Sequence, residues 1–223
     1  MTSPKVSVFV RSKEQLNFVR MYDVHAIYTD VLELVQENPE LYYQVPKYHD
    51  ASELPDNILT EDTGLLYDFN DKKNIITDYG LNVANEKTIN LLEQSGASHV
   101  TLSLEVSMEE LSFFKNLKKY SLELYLYGRP KVMCLKEHPI FTNGEYILED
   151  MKKKRYPVTV LKNKNVYIYH HEPINRLSDF QSYRDMGIQY FRIDLWKETN
   201  LEIAEIFERI CLQKKNCQEF TDS

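Results

Sequence analysis

The sequence predicts a compact (β/α)8 TIM-like barrel with a β-hairpin insertion after strand seven. Three observations lead there. Short β-branched and apolar runs alternate with helical patterns over most of the 223 residues. Alternation of this kind requires parallel pairing, because each strand must return through a crossover. The strand-like runs in the alternation reach eight, the number that closes a parallel barrel. One stretch, 131–171, departs from the rhythm with strand signals on both sides of a lysine run. An open α/β sheet is the alternative for the same pattern.

The elements follow in order. Val6–Val10 reads as a strand, and Lys13–Met21 carries Leu16 and Val19 at helical spacing. His25–Tyr28 is a second strand, followed by a short helix over Val31–Gln36. Leu41–Val45 is a third. Ser52–Leu59 offers one or two helical turns, and Gly64–Tyr67 reads as strand four. The barrel is therefore expected to be thin in helix around strands three and four. Asn74–Asp78 is the fifth strand. Asn85 is a suitable N-cap for a helix whose apolar face is Ile89, Leu91 and Leu92, with Gly96 at its end. His99–Ser103 is strand six, Ser107 and Glu110 make a capping box, and Leu122–Tyr127 is strand seven.

Beyond the insertion, Asn175–Met186 returns to helix and Gly187 ends it. Ile188–Leu195 is strand eight. The last helix, Leu201–Cys211, points Leu201, Ala204, Ile206, Phe207 and Ile210 inward. One domain, 1–214, is expected, with a polar tail over 215–223.

Composition limits the function classes. The net charge is −7, which disfavours non-specific attachment to nucleic acid or to an anionic membrane. A local basic run, Lys152-Lys153-Lys154-Arg155, with Lys162 and Lys164 behind it, reads first as a solvated hairpin. No apolar run approaches the ~20 residues of a membrane helix. The three cysteines, Cys134, Cys211 and Cys217, form no Cys-x-x-Cys pair, so a reducing cytoplasm is expected. Cys134 lies in an apolar strand run, where a buried, inert thiol is the common state. No phosphate-binding glycine loop and no nucleophile elbow is present, and no cofactor is expected. His138, His170 and His171 do not have zinc-site spacing, and no metal site is predicted.

A collinear set of short motifs runs through the chain. Asp78-Tyr79-Gly80-Leu81-Asn82-Val83-Ala84-Asn85 precedes Thr101-Leu102-Ser103-Leu104-Glu105. Then come Tyr127-Gly128-Arg129 with Met133, Tyr156-Pro157-Val158, Ile168-Tyr169 with Pro173, and Gly187-Ile188 with Phe191-Arg192-Ile193-Asp194. In order and approximate spacing, over about two-thirds of the chain, these resemble peptidase family U32, the collagenase-like peptidases. Val10-Arg11-Ser12 with Gln15-Leu16 resembles the start of the second barrel of longer members. The resemblance implies peptide cleavage or, in members holding an iron–sulfur cluster on cysteines, hydroxylation of a tRNA uridine. Here the first cysteine slot is occupied by His138 and the later one falls near Lys164. A cubane normally takes four thiolates and the chain has three.

In a parallel barrel, reactive groups gather at the C-terminal strand ends. Asp78, Glu105, Arg192 and Asp194 are the catalytic candidates there. Asn82, Asn85, Tyr127, Arg129 and His138 are the substrate-binding ones. Three carboxylates and two guanidiniums at one mouth would suit a polar or anionic peptide or RNA, although an ion-pair network closing the mouth would use the same residues. Tyr127, Tyr167, Tyr169 and Tyr190 would stack on bases or pack in the sheet core. The expected activity is that of a cluster-free U32 protein binding its ligand at the mouth. The alternative is a non-catalytic partner of a larger, cysteine-bearing homologue involved in tRNA uridine hydroxylation.

Overall fold

A computed structural model of the chain describes residues 4–49, 53–136, 142–161 and 165–215. Val6, Val8 and Phe9 are buried in β1 (Lys5–Phe9), which pairs in parallel with β2 (Ala26–Thr29). The order continues through β3 (Tyr42–Gln44), β4 (Asn57–Thr60), β5 (Asn74–Thr77), β6 (Ala97–Thr101) and β7 (Leu122–Gly128). β13 (Tyr190–Asp194) then lies between β7 and β1, with Phe9 opposite Asp194. The β6–β7 pairing, Val100 to Leu122 and Thr101 to Glu123, completes the ring. Eight parallel strands thus close into a barrel, and the open-sheet alternative fails at that pairing.

Helices surround the strands: α1 (Lys13–Val19), α2 (Leu32–Glu37), α3 (Thr63–Phe69), α4 (Glu86–Gln94), α5 (Met108–Ser112), α6 (Phe180–Met186) and α7 (Asn200–Lys215). Their caps are local in sequence. Ser12, Asp62, Asn85 and Ser107 accept from backbone N–H groups of the first turn, and Glu110 completes the box with Ser107. Among the described residues no α-helix joins β3 to β4, but α3 follows β4, so the thinness expected around both strands is confined to that one connection. Between the strands and helices lies the large apolar core, while Phe9, Ala26, Tyr28, Leu59 and Ile76 form a smaller cluster.

Three local readings are corrected. Strand four is Asn57–Thr60, not Gly64–Tyr67. Ile58 and Leu59 are fully buried in the sheet, whereas Asp62 caps a helix that buries Leu65 and Leu66 and leaves Tyr67 outside. In α7 the buried stripe is Ile203, Ile206, Phe207 and Ile210, and Leu201 is exposed. The spacing 3-1-3 of that stripe fits one helical face, and Leu201 falls off it. Leu91 of α4 is exposed for the same reason.

The insertion is larger than a hairpin. Strands β8 (Lys131–Leu135), β9 (Gly144–Glu149), β10 (Arg155–Val160) and β11 (Val166–Tyr169) make an antiparallel sheet in the order β8-β11-β10-β9. A short β12 (Ile174–Asn175) adds antiparallel to β7. The sheet meets the C-terminal end of the barrel. Lys47 N–H donates to the Tyr167 hydroxyl at 3.3 Å, Lys131 N–H donates to the Tyr79 hydroxyl at 2.9 Å, and Asn165 Nδ2 donates to the Tyr48 carbonyl at 2.9 Å. Tyr169 stacks obliquely on Trp196, ring centres 4.3 Å apart. The insertion therefore roofs the mouth. No helix of the described residues is long and apolar enough to cross a membrane.

Candidate functional site

Strand alternation sends Arg192 and Asp194 of β13 to the same face, into the lumen, where Glu123 of β7 and Asp78 after β5 also point. Arg192 has no exposed surface. Its Nη1 donates to Asp78 Oδ1 at 2.5 Å, its Nε to Glu123 Oε2 at 2.8 Å and its Nη2 to Thr101 Oγ1 at 3.0 Å. Glu123 Oε1 accepts from the Tyr28 hydroxyl at 2.7 Å, and Asp78 Oδ2 from Gln44 Nε2 at 2.6 Å. Asp78 Oδ1 also accepts Tyr79 N–H at 2.7 Å. Lys131 Nζ in turn donates to Gln44 Oε1 at 2.5 Å. One guanidinium thus joins β13 to β5, β6 and β7 across the lumen.

Every polar side-chain atom of Arg192, Asp78 and Glu123 has a partner. Burial alone would lower the Arg192 pKa, but Asp78 and Glu123 outweigh it and hold the group above the ordinary arginine value. Tyr28 is pushed up by burial and by the Glu123 charge, so it stays a donor.

A second pair lies nearer the roof. Asp194 Oδ1 accepts from Arg11 Nη1 at 2.5 Å, and the same nitrogen donates to the Leu195 carbonyl. Burial raises the Asp194 pKa despite Arg11 and Arg192. Arg11 sits over the rings of Phe9, Trp196 and Tyr169 at 4.4, 5.1 and 5.6 Å. Gln15 accepts Arg11 N–H at 2.8 Å and Ser12 caps α1, so the Arg11-Ser12-x-x-Gln15 motif is a local brace.

The remaining candidates separate from this centre. Asn82 and Glu105 are exposed, and Asn82 has a left-handed φ of 51° that ends a short 3-10 turn. Asn85 caps α4 and its side chain is committed to Thr88. Arg129 Nη1 donates to the carbonyls of His170 and His171 at 2.7 and 2.5 Å, tying the end of β7 to the turn after β11. The Tyr127 hydroxyl donates to Glu198 at 3.1 Å, and burial followed by the Glu198 charge pushes it up to about 12. His138 lies outside the described residues. The structure brings together Asp78, Arg192 and Asp194, and it does not bring Asn82, Asn85 or Glu105 to them. Tyr167 and Tyr169 are buried under the roof, and Tyr190 lies at the opposite end of the barrel beside His25 and His99.

Sequence reading missed Glu123, Thr101, Gln44, Tyr28 and Lys131. A carboxylate in the apolar run Leu122–Tyr127 was the available signal for Glu123. The basic run is a solvated turn: Asp150 Oδ1 accepts Lys152 and Lys154 N–H, while Glu149 pairs with Lys153 and Arg155. Burial pushes the Cys134 thiol up, away from a nucleophile's range. No three His, Cys, Asp or Glu side chains among the described residues are grouped to hold a metal, and the thiols are too few for a cubane, so the donor set does not fit the cluster.

A cleft of about 510 Å³ opens beside the roof, between the ends of β1, β2 and β13 and the edge of the added sheet. Arg11, Asp30, Tyr169 and Trp196 are among its walls. No family model and no curated protein matches the chain. Among solved structures, the U32 peptidase Mk0906 superposes with a TM-score of 0.50 over 89% of this chain and 95% of its own, at 10% sequence identity. At that identity the likeness is one of fold, and the fold of this chain is U32-like.

Proposed function

We propose that this chain is a U32-like barrel protein that recognises a peptide at the rim of its C-terminal mouth and does not cut it. The observation that carries the reading is the burial of the Arg192 network. Arg192, Asp78 and Glu123 are 0–1% exposed and mutually satisfied, which is the state of an internal ion lock rather than of groups awaiting a substrate. The open space beside the roof is the rim cleft, and its size falls in the ~300–1,000 Å³ range of small-ligand sites. Peptide is favoured over RNA because the chain carries −7 overall and the cleft walls hold more carboxylates than cations. The structural neighbour, described as a peptidase, points to the same ligand class.

Fluorescent peptides from a gelatin digest, titrated into the full chain at physiological salt, are expected to bind and to be recovered intact by mass spectrometry. A transfer RNA is expected not to bind under the same conditions. Cleaved peptides, or binding of the RNA without binding of peptides, would overturn the reading.

A further inference from the structure

Positive charge is concentrated at one tip of the roof. Lys152, Lys153 and Lys154 fill the turn between β9 and β10, and Arg155 begins β10. The two carboxylates beside them are occupied within the turn. Asp150 Oδ1 accepts Lys152 and Lys154 N–H at 2.7 and 2.9 Å, which folds the backbone. Glu149 pairs with Lys153 and Arg155 at 3.0 and 3.2 Å. Among the described residues, no carboxylate lies at ion-pair distance from the Lys152 or Lys154 ammonium. A second, independent observation is apolar. Met151, at the apex, is 100% exposed, and Ile147 and Leu148 on β9 are 66% and 38% exposed. Apolar side chains set among cations match the boundary of an anionic bilayer, where headgroups meet the cations and the acyl region takes the apolar groups. The chain as a whole carries −7, so such a surface repels it except where this turn leads.

RNA also offers phosphates, but its unpaired bases are held by rings that stack on them. The ring beside the run is otherwise engaged: the Tyr156 hydroxyl donates to Asp150 at 3.3 Å, and the ring packs on His171 with centres 5.3 Å apart. Met151 and Ile147 have no counterpart on a phosphate backbone. We propose that the β9–β10 turn is a docking tip for an anionic lipid surface. Lys152 and Lys154, with Lys153 and Arg155 beside them, engage the headgroups, and Met151 enters the acyl boundary. The contact is peripheral and reversible. Glu145 and Thr159, opposed at the other end of the same two strands, line the rim cleft, so a turn resting on a bilayer leaves the cleft open.

The test sediments the full chain with vesicles of phosphatidylcholine alone, or of phosphatidylcholine with about one-third phosphatidylserine. Partition onto the anionic vesicles is expected to be at least about tenfold higher at low salt, and to fall as the ionic strength rises. Lys152→Gln combined with Lys154→Gln should lower it about tenfold. Met151→Ser should lower it about threefold and leave its salt dependence unchanged. These three side chains are exposed, so the melting temperatures of the variants should match that of the native chain. Equal partition onto both kinds of vesicle, or none onto either, would overturn the proposal. If the double lysine variant partitions like the native chain, the placement at this turn fails. If Met151→Ser does so, the insertion fails. A transfer RNA that displaces the protein from the vesicles, and that binds the native chain but not the double lysine variant, would assign the turn to RNA and overturn the lipid reading.

Discussion

Arg192 occupies the middle of the lumen with two carboxylates and no water-exposed surface. A charge in that position is stable only while its partners remain, since a lone buried ion carries a desolvation cost of several kcal/mol. Arg192→Met is therefore expected to lower the unfolding free energy by about 3–5 kcal/mol, measured by urea denaturation. Adding Asp78→Asn and Glu123→Gln to it should recover part of the loss, because the uncompensated charges go with them. At this scale the sequence exposed half of the centre. Asp78, Arg192 and Asp194 stand in recognisable motifs at strand ends. Glu123 stands at the beginning of its strand, and a one-dimensional pattern does not say which side of a strand faces a lumen. Asn85 was legible as a cap and also offered as a ligand; its hydrogen bond to Thr88 N–H is the capping one.

Gly128 ends β7 with φ at +135°, a conformation that L side chains rarely adopt. A Cβ there would stand 2.3 Å from the Asp194 carbonyl oxygen and 2.6 Å from the Asp194 Cβ, both on the neighbouring strand. Strand β13 cannot retreat without breaking its pairing to β1, so Gly128→Ala should cost more than about 2 kcal/mol. A clear fall in melting temperature would check this; an unchanged one would show that β7 can rotate. The elements themselves were legible where caps and periodicity agree, as in α4 and α5. They were misread at β4, where four residues of strand lie between a loop and a capped helix. Ile58-Leu59 is too short a run to distinguish strand from helix by period. The size of the roof was also understated, because β8 pairs with β11 across the rest of the insertion, and so distant a pairing leaves no local signal.

For the molecule as a whole, the two ends of the barrel respond differently to acid. At the N-terminal end His99 packs edge-on to Tyr190 and near His25. Burial, with His25 and Lys5 adding to it and Glu123 opposing, lowers His99 from 6.5 to about 4. The folded chain then holds fewer protons than the unfolded chain between these values, so this histidine contributes stability above pH 6.5 that is lost as the pH falls toward about 4. The slope is at most about 1.4 kcal/mol per pH unit, and less in practice because the ring is partly open to solvent. Asp194 and Glu61, both raised by burial, contribute with the opposite sign and favour the folded state as the pH falls. The difference between the native protein and His99→Gln isolates the histidine: the variant should lose less stability across that window, read from urea midpoints at each pH.

The closure of the ring has a consequence for how the chain is made. Lys5 pairs with Tyr190, so the first strand waits for nearly the last one. On a translating ribosome, β1 and β7 keep bare edges until β13 emerges, and bare edges invite pairing with other chains. The roof is built from near neighbours in sequence, as in the Arg155–Glu149 and Val160–Val166 pairings, and can assemble during that wait. A nascent chain halted just before β13 would then carry a finished roof above an unclosed ring, a natural client for chaperones until the missing strand arrives.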